Sequence, residues 1–244
     1  MGHADHRPEN PSATANSSLI RWRPWPCQSC GGGATALSHL VRSTGSGQEF
    51  PDDGRNERID RQKAREARML AQWVRRCPHT EWIEVRLPDL AEGSEHLVYF
   101  DNPSGEVVKV TRIGIYGDYY ELIDGRITQF DSTPAEYLLR MNWWEKLFST
   151  APVPKGLTED RQIVSRQTYI HGDLPTQEAV DSFLTEAGLF PVKKNCWLWK
   201  MVDTGAPWEI WIGDARSDNF VSVEGAIVPI DIRIWRFPNP HANL

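Results

Sequence analysis

The stretch Glu209–Asp231 reads EIWIGDARSDNFVSVEGAIVPID, and the interpretation of the whole chain depends on it. Its pattern predicts a strand, a polar loop, a second strand, a Glu-Gly turn and a third strand. Three polar residues, Asp214, Asn219 and Asp231, stand at the predicted strand ends. A hairpin between Asn219 and Asp231 would bring the second carboxylate back beside the first pair. Such a cluster suits a base that orients a hydroxyl and two oxygen ligands that hold Mg²⁺ against nucleotide phosphates.

The composition is that of an ordinary globular protein, because 40% of the 244 residues are hydrophobic and 25% are charged. No apolar run approaches the roughly 20 residues of a membrane span, and the polar N-terminus lacks an apolar signal core. These features predict a cytoplasmic protein without membrane contact. The net charge of −6 gives no strong nucleic-acid signal, because general nucleic-acid binders need a surplus of Lys and Arg.

Residues 1–55 are rich in Ser, Gly, Pro and Asn and show no sustained helix or strand period, which predicts a disordered segment. Cys27 and Cys30 have the spacing of half a zinc site, but no second pair follows, so the pair is interpreted as incidental. A helix is predicted from Asn56 to Arg76, and its excess of basic residues is assigned to a solvated face.

Two hairpins are predicted next, after a strand at residues 82–87. The strands Glu95–Asp101 and Glu106–Thr111 are joined by Asn-Pro-Ser-Gly, and the segment Tyr119–Phe130 turns at Asp-Gly. Lys109 stands inside the apolar second strand of the first hairpin. Taken alone, a strand lysine is expected on the solvated face.

The remaining pattern alternates helices with short strands. Thr133 and Glu136 form a capping box for a helix that is predicted to end near Phe148. A strand at Gln162–Ile170 and a helix at Gln177–Ala187 follow, and two short strands then lead into the opening stretch. This order of helices and antiparallel hairpins indicates an α+β protein rather than alternating βαβ units.

Short passages in this order resemble the protein-kinase-like fold, and more narrowly the compact serine/threonine/tyrosine kinase domain of polyvalent proteins from phages and mobile elements. The resemblance spans about residues 92–235 and is based on the order and spacing of these passages. The passages are Glu95–Tyr99, Val108–Thr111, Glu136–Arg140, Ser165–Ile170, Pro175–Thr176, Asp214–Arg216, Asn219–Val221 and Pro229–Asp231.

The resemblance implies an α+β, protein-kinase-like fold in which an antiparallel N-lobe sheet with one helix precedes a minimal, truncated C-lobe. It also implies an ATP- and Mg²⁺-dependent kinase-like phosphotransferase that acts on an unknown protein or small-molecule acceptor. The implied organisation is a disordered segment (1–55), a leading helix and strand (56–91), an N-lobe (92–164), and a hinge with a C-lobe that contains the catalytic hairpin (165–244).

Carried over residue by residue, the resemblance implies a catalytic set of Asp214, Lys109 and Glu136. Lys109 would touch the α- and β-phosphates of ATP and pair with Glu136, and Asp214 would be the catalytic base. Asn219 and Asp231 would hold Mg²⁺.

The resemblance also implies the residues that bind the rest of the nucleotide. The stretch from Gln167 through Tyr169 to Ile170 would be a hinge that meets the adenine through its backbone. Gly93 would lie in the loop over the phosphates, where such loops usually carry two or three glycines.

Each of these residues also has a structural interpretation. The alternative for Glu136 is a helix cap alone, and the alternative for Asp214 and Asp218 is an ordinary role in turns. Asp231 is harder to explain in this way, because a carboxylate at a buried strand end needs a partner or an ion.

Two other functions stay open at this stage. The single glycine at position 93 and the short sequence after Asp231 fit a pseudokinase-like nucleotide-binding or interaction module. The segment His171–Leu174 reads His-Gly-Asp-Leu and resembles the signature of aminoglycoside-type phosphotransferases, which act on small molecules. Glu178 stands where that signature would need Asn, so the segment is assigned to the exit of the hinge.

Overall fold

The structure is a computed structural model that describes residues 17–25, 55–75, 81–123, 126–193, 197–202 and 206–239. Its helices are α1 (Arg55–Arg75), α2 (Pro134–Phe148) and α3 (Gln177–Glu186). Its strands are β1 (Ser17–Pro24), β2 (Ile83–Glu92), β3 (His96–Asp101), β4 (Glu106–Thr111), β5 (Asp118–Ile123), β6 (Arg126–Asp131), β7 (Val153–Thr158), β8 (Ile163–Thr168), β9 (Phe190–Pro191), β10 (Trp199–Val202), β11 (Trp208–Gly213), β12 (Phe220–Val223), β13 (Ala226–Pro229) and β14 (Arg233–Pro238).

Six strands form a closed antiparallel barrel in the order β1-β2-β3-β4-β8-β7. The barrel closes because β1 pairs with β2 on one side and with β7 on the other. Alternate side chains of these strands point inward and make one buried apolar cluster. The cluster contains Ile20, Trp22, Leu87, Tyr99, Val108, Val110 and Val164.

The predicted kinase-like fold class is wrong. The part of the chain that the structure describes has a closed six-stranded barrel and three α-helices, whereas the prediction was an antiparallel N-lobe sheet with one helix and a minimal, truncated C-lobe. Closure removes the free edges that an open sheet would present. The boundary predicted at residue 165 falls inside β8, which is a barrel strand between β4 and β7.

Two of the strands that close the barrel were missed by the sequence analysis. Ser17–Pro24 belongs to the segment that was predicted to be disordered, yet Ile20 and Trp22 alternate with arginines and are buried. In β7, Pro154 suggested the end of a helix, but it lies at a register shift in the pairing with β8, where a strand tolerates proline. The rest of residues 1–55 lies outside the described residues.

Most of the locally encoded elements are confirmed. The helix α1, the β3–β4 hairpin and the β12–β13 hairpin have bounds close to those predicted. The capping box of Thr133 and Glu136 is present at the start of α2. The predicted Asp-Gly turn at residues 124–125, the predicted last residue of α1, Arg76, and the Cys27–Cys30 motif lie outside the described residues.

Helix α2 lies between the barrel and a second sheet of order β14-β11-β10-β9. Its Tyr137 and Met141 pack into a core shared with α1, and its Trp144 packs with α3, β11 and β14. The barrel strand β4 therefore lies close to the β12–β13 hairpin. None of the helices among the described residues is long and apolar enough to cross a membrane.

Candidate functional site

Lys109 projects from the outer face of the barrel into the space between the barrel and the second sheet. Its neighbours Val108 and Val110 face the barrel interior, so strand alternation turns Lys109 outward. The residue is nevertheless only 6% exposed, because other elements cover that face. Its ammonium lies 5.8 Å from the centre of the Trp144 ring. The solvated position that is usual for a strand lysine is therefore not found.

The ammonium of Lys109 is held by the end of the β12–β13 hairpin. It donates to the carbonyl of Ile230 at 2.8 Å and lies 3.4 Å from Oδ1 of Asp231. These partners are 121 and 122 residues away in the sequence. Two oppositely charged residues of the predicted set, Lys109 and Asp231, therefore meet in the folded chain.

A hydrogen-bond hub at Thr150, just after α2, fixes the strand that leads to Asp231. The Thr150 hydroxyl accepts from Trp144 Nε1 at 3.0 Å and donates to Pro229 O at 3.1 Å. The Thr150 carbonyl accepts from Gln167 Nε2 at 2.7 Å. The backbone of Gln167, which was predicted to meet adenine, pairs with Val107 of β4, while its buried side chain makes this contact with Thr150.

The Asp231 side chain is both ionised and accessible to solvent. It is 56% exposed. Partial burial of the carboxyl acts to raise its pKa, but Lys109, followed by His96 and Arg140, outweighs that effect and lowers the pKa. The carboxylate is therefore negatively charged at neutral pH and open to a ligand from the solvent side.

Asn219 joins the two predicted carboxylates. The backbone N–H groups of Ile230 and Asp231 both donate to Asn219 O, at 2.8 and 3.2 Å. The Asn219 side chain donates from Nδ2 to Asp214 O at 2.7 Å, which leaves its Oδ1 as the amide oxygen that can serve as a ligand. The hairpin thus returns Asp231 beside Asn219, as the opening stretch of sequence predicts.

Asp214 follows the end of β11 in an unusual backbone conformation. Its φ angle is 56°, in the left-handed region that costs most non-glycine residues free energy and that Asp and Asn tolerate best. Its Oδ1 accepts from Arg216 Nε at 2.9 Å, and Arg216 also lies 3.5 Å from Asp218. The loop therefore holds Asp214 by its carbonyl and by its carboxylate.

Asp231 and Asn219 carry side-chain oxygens of the kind that binds Mg²⁺ in proteins. No group of three or more His, Cys, Asp or Glu side chains that could hold a metal ion occurs in the described ranges. Mg²⁺ commonly binds one or two carboxylates and completes its shell with waters and substrate phosphates. The Asp231 carboxylate and the Asn219 amide oxygen provide hard ligands of this kind without a full protein cage.

Glu136 does not pair with Lys109, which corrects the predicted ion pair. Its Oε2 accepts from the N–H of Thr133 at 2.7 Å, so it serves as the cap that local sequence also indicated. The buried carboxylate of Glu66, from α1, accepts a hydrogen bond from the backbone N–H of Ala135 in the first turn of α2. Burial raises the pKa of Glu136 to about 7 against the hydrogen bond from Thr133, and Glu66 raises it further.

This raised pKa makes stability depend on pH. An unfolded glutamate titrates near 4.5, so between about pH 4.5 and 7 the folded protein binds more protons than the unfolded chain. The contribution of protonated Glu136 to the free energy of unfolding is complete below about pH 4.5 and is lost as the pH rises through about 7. From about pH 5 to 7.5 we expect the free energy of unfolding of the wild type to fall by on the order of 2 kcal/mol relative to Glu136→Gln.

Urea unfolding at several pH values measures this difference. The matched control is Glu186→Gln, which changes an exposed glutamate at the end of α3 and should give a difference that stays constant with pH. If the difference in the free energy of unfolding between the wild type and Glu136→Gln stays constant across the same pH range, Glu136 does not take up a proton on folding.

A buried charged network next to the site was missed by the sequence analysis. Arg140 of α2 makes a bidentate ion pair with Glu95, at the start of β3, and both residues are under 10% exposed. Glu95 also lies 3.3 Å from His96 and 4.0 Å from Arg233. The signal in the sequence was Arg140 itself, which stands between Tyr137 and Met141 in the apolar stripe of a helix.

Burial and neighbouring charges together set the protonation states of this network. Burial acts to raise the pKa of Glu95, but Arg140 and then His96 outweigh it, so the pKa is lowered and the carboxylate stays charged. Burial lowers the pKa of His96 to about 4 against the pull of Glu95, so this histidine is neutral. Its Nε2 shares a 2.8 Å hydrogen bond with the hydroxyl of Tyr137.

The other residues predicted to bind nucleotide lie at opposite ends of the barrel strand β4, Gly93 beside its C-terminal end and Tyr169 beside its N-terminal end. Gly93 forms the turn between β2 and β3, and its carbonyl accepts from Arg112 Nε at 2.8 Å. The N–H of Tyr169 donates to Gly105 O at 3.0 Å, so this backbone donor already has a partner. Ile170 follows outside the β4–β8 pairing, in the loop toward α3.

The His-Gly-Asp-Leu segment runs beside β12. Asp173 and Ser222 exchange two backbone hydrogen bonds, of 3.0 and 2.8 Å, and Gly172 packs against the Ser222 carbonyl, where a Cβ atom would lie only 2.3 Å away. The side chain of Asp173 is exposed. The segment thus leads away from β8 toward α3, which fits its assignment as a connecting loop.

Comparison with known proteins gave no relative: no family model, no curated protein and no solved structure matches the chain.

Proposed function

We propose that this protein binds ATP with Mg²⁺ and transfers the γ-phosphoryl group to an acceptor hydroxyl. The observation that carries the proposal is the meeting of Lys109 Nζ with Asp231 Oδ1, 3.4 Å apart, at a residue whose backbone N–H donates to the carbonyl of Asn219. Phosphoryl transfer requires positive charge and positioning around the phosphates more than covalent chemistry. One buried lysine, two hard oxygen ligands and a second carboxylate, that of Asp214, provide that combination.

Each residue has a distinct part in the proposal. Lys109 binds phosphate oxygens, and Asp231 and Asn219 hold Mg²⁺, which neutralises phosphate charge when bound. Asp214 orients the acceptor hydroxyl and receives its proton. The acceptor oxygen bonds to the γ-phosphorus while the bond from that phosphorus to the bridging oxygen breaks, and ADP leaves.

The sequence supports the same residue set. The order of Lys109, Asp214, Asn219 and Asp231 and their short flanking passages resemble the kinase domains of polyvalent proteins. The proposal takes these residues from the resemblance and does not take the fold, which the barrel excludes. The acceptor is a protein or small molecule that carries a hydroxyl group.

A second candidate is a nucleotide-binding module that does not transfer phosphate. Two contacts favour it: Glu136 is used as a helix cap, and Arg216 neutralises the carboxylate of Asp214. Both candidates need the Lys109–Asp231 site, and they differ only in whether Asp214 acts on an acceptor.

Nucleotide binding is tested by thermal unfolding with ATP and Mg²⁺, which both candidates predict will stabilise the wild type. A ligand at about one hundred times its Kd adds about 2.7 kcal/mol to the free energy of unfolding, which corresponds to a Tm increase of several degrees. We expect Asp231→Asn to lose the part of this increase that depends on Mg²⁺, because it removes the ionised ligand.

Asp160→Asn is the matched control, since Asp160 is exposed in the turn between β7 and β8 and should leave the response to ATP and Mg²⁺ unchanged. A wild type whose Tm does not respond to ATP and Mg²⁺ would rule out both nucleotide-binding candidates. An Mg²⁺-dependent shift that persists in Asp231→Asn would remove Asp231 from the proposed metal site.

A further inference from the structure

The glycine that ends β11 leaves room for a tryptophan. A Cβ atom at Gly213 would lie 2.4 Å from two ring atoms of Trp235, Cη2 and Cζ3, which is closer than real Cβ contacts come. The indole of Trp235 therefore rests directly on the backbone that leads into Asp214. Strand pairing explains the approach, because Gly213 pairs with Arg233 and Trp211 with Trp235 in the β11–β14 ladder.

The β5–β6 hairpin holds Trp235 in that place. In the sequence, this hairpin lies between the barrel strand β4 and helix α2. The indole Nε1 donates to the carbonyl of Asp118 at 2.9 Å. The ring of Tyr120 meets the indole edge-on, with centroids 4.5 Å apart and an interplanar angle of 77°. The carboxylate of Asp118 pairs with Arg233, two residues before Trp235.

Asp214 depends on such support. A non-glycine residue in the left-handed region costs about 1 kcal/mol or more and persists where its surroundings over-determine it. The indole fixes the peptide before Asp214, and Asn219 fixes the carbonyl after it. The hairpin also lies within electrostatic reach of the loop. Burial raises the pKa of Tyr120, Asp118 raises it further, and Asp214 adds to the same effect.

We infer that Trp235 is a positioning residue for Asp214, and that the β5–β6 hairpin controls the placement of Asp214 by clamping the indole against Gly213. The inference rests on the proposed function for the catalytic part assigned to Asp214. The hairpin contacts Trp235 through Tyr120 and the backbone of Asp118, so it acts on the geometry of the loop.

The test compares two tryptophan variants of the full chain. Trp235→Phe removes the Nε1 bond to Asp118 and the outer indole atoms that cover Gly213. Trp211→Phe is matched to it, because Trp211 is its partner in the ladder, is equally buried and donates from Nε1 to Glu209 at 3.0 Å, away from Gly213.

Two readouts are taken with the same variants. In ATP-dependent phosphotransfer, Trp235→Phe should lower kcat about ten- to hundredfold and leave the KM for ATP within about twofold, because misplacement of one reacting group by about 1 Å has effects of that size. In nuclear magnetic resonance, Trp235→Phe should shift the carboxyl ¹³C signal of Asp214 more than Trp211→Phe does.

The second readout needs no activity, so it separates this inference from the proposed function. If the wild type transfers no phosphate and the Asp214 signal still moves selectively in Trp235→Phe, the proposed transfer is wrong and the positioning role stands. Equal effects of the two variants on the Asp214 signal overturn the positioning role. Gly213→Ala provides a second route, since its effect should combine with Trp235→Phe less than additively if both act through one contact.

Discussion

Glu95→Gln is expected to lower the free energy of unfolding by about 3–5 kcal/mol, which is the usual cost of leaving one member of a buried ion pair without its partner. Arg140 is 6% exposed and makes two hydrogen bonds to the Glu95 carboxylate. The glutamine would keep the shape of the side chain and remove its charge. The guanidinium of Arg140 would then stay buried beside the neutral His96.

Urea unfolding followed by tryptophan fluorescence measures this loss. Glu92→Gln is the matched control, because Glu92 pairs with Arg112 at the same end of the barrel but is 68% exposed in its side chain. Exposed pairs contribute about 1 kcal/mol or less, so the control should lie close to the wild type. The double change Glu95→Met with Arg140→Met should recover much of the loss, because it leaves no unpaired charge. A cost of Glu95→Gln equal to that of Glu92→Gln would show that the buried pair does not stabilise the fold.

The elements that the sequence predicts correctly are those encoded by neighbouring residues. The β12–β13 hairpin depends on a Glu-Gly turn between two apolar runs, and its register then places Asp231 against Asn219. The start of α2 depends on Thr133 and Glu136, which are three residues apart. Short-range chemistry was sufficient in both cases.

The closed barrel could not be predicted in this way, because closure is a pairing of distant segments. Trp22 pairs with Thr158 across more than half of the chain, and no local pattern specifies that register. The short alternation in β1 covers only four residues and stands among polar residues, so it gave a weak strand signal. Pro154 argued against a strand at β7, but the proline lies at a bulge, where a strand tolerates it. The Glu95–Arg140 pair spans 45 residues and was missed for the same reason.

The candidate site likewise contains features that local sequence predicts and contacts between distant residues that it does not. Local sequence indicated that Asp214, Asn219 and Asp231 would lie together, and they do. The contact of Lys109 with that hairpin could be expected only from the resemblance, because a lysine in a strand normally points to solvent. Glu136 fitted both a cap and a lysine partner in the sequence. The structure uses it as the cap, since the Lys109 ammonium is satisfied by Ile230 and Asp231.

Asp214→Asn is expected to lower phosphotransfer by about 10²- to 10⁴-fold, which is the range for removal of a group that takes a proton in the transition state. Binding of ATP with Mg²⁺, measured by thermal unfolding, should remain, because Asp231 and Asn219 are unchanged. The fold should also remain. Asparagine tolerates the left-handed backbone at this position, and its side-chain oxygen can still accept from Arg216.

Asp218→Asn is the control that isolates the role of Asp214. Asp218 lies in the same loop and faces the same Arg216 at 3.5 Å, but its side chain is 58% exposed and it follows no strand end. Its replacement removes the same charge from the loop and should change transfer less than about threefold, since exposed ion pairs interact weakly. If Asp214→Asn and Asp218→Asn reduce transfer equally, the loop contributes only general negative charge. If the wild type binds ATP with Mg²⁺ and transfers phosphate to no acceptor, the non-catalytic candidate replaces the phosphotransferase. If only Asp214→Asn abolishes transfer, the Asp214 carboxylate is the group that takes the proton, and it can do so while it accepts from Arg216, because a carboxylate has a second oxygen beside the Oδ1 that Arg216 Nε binds.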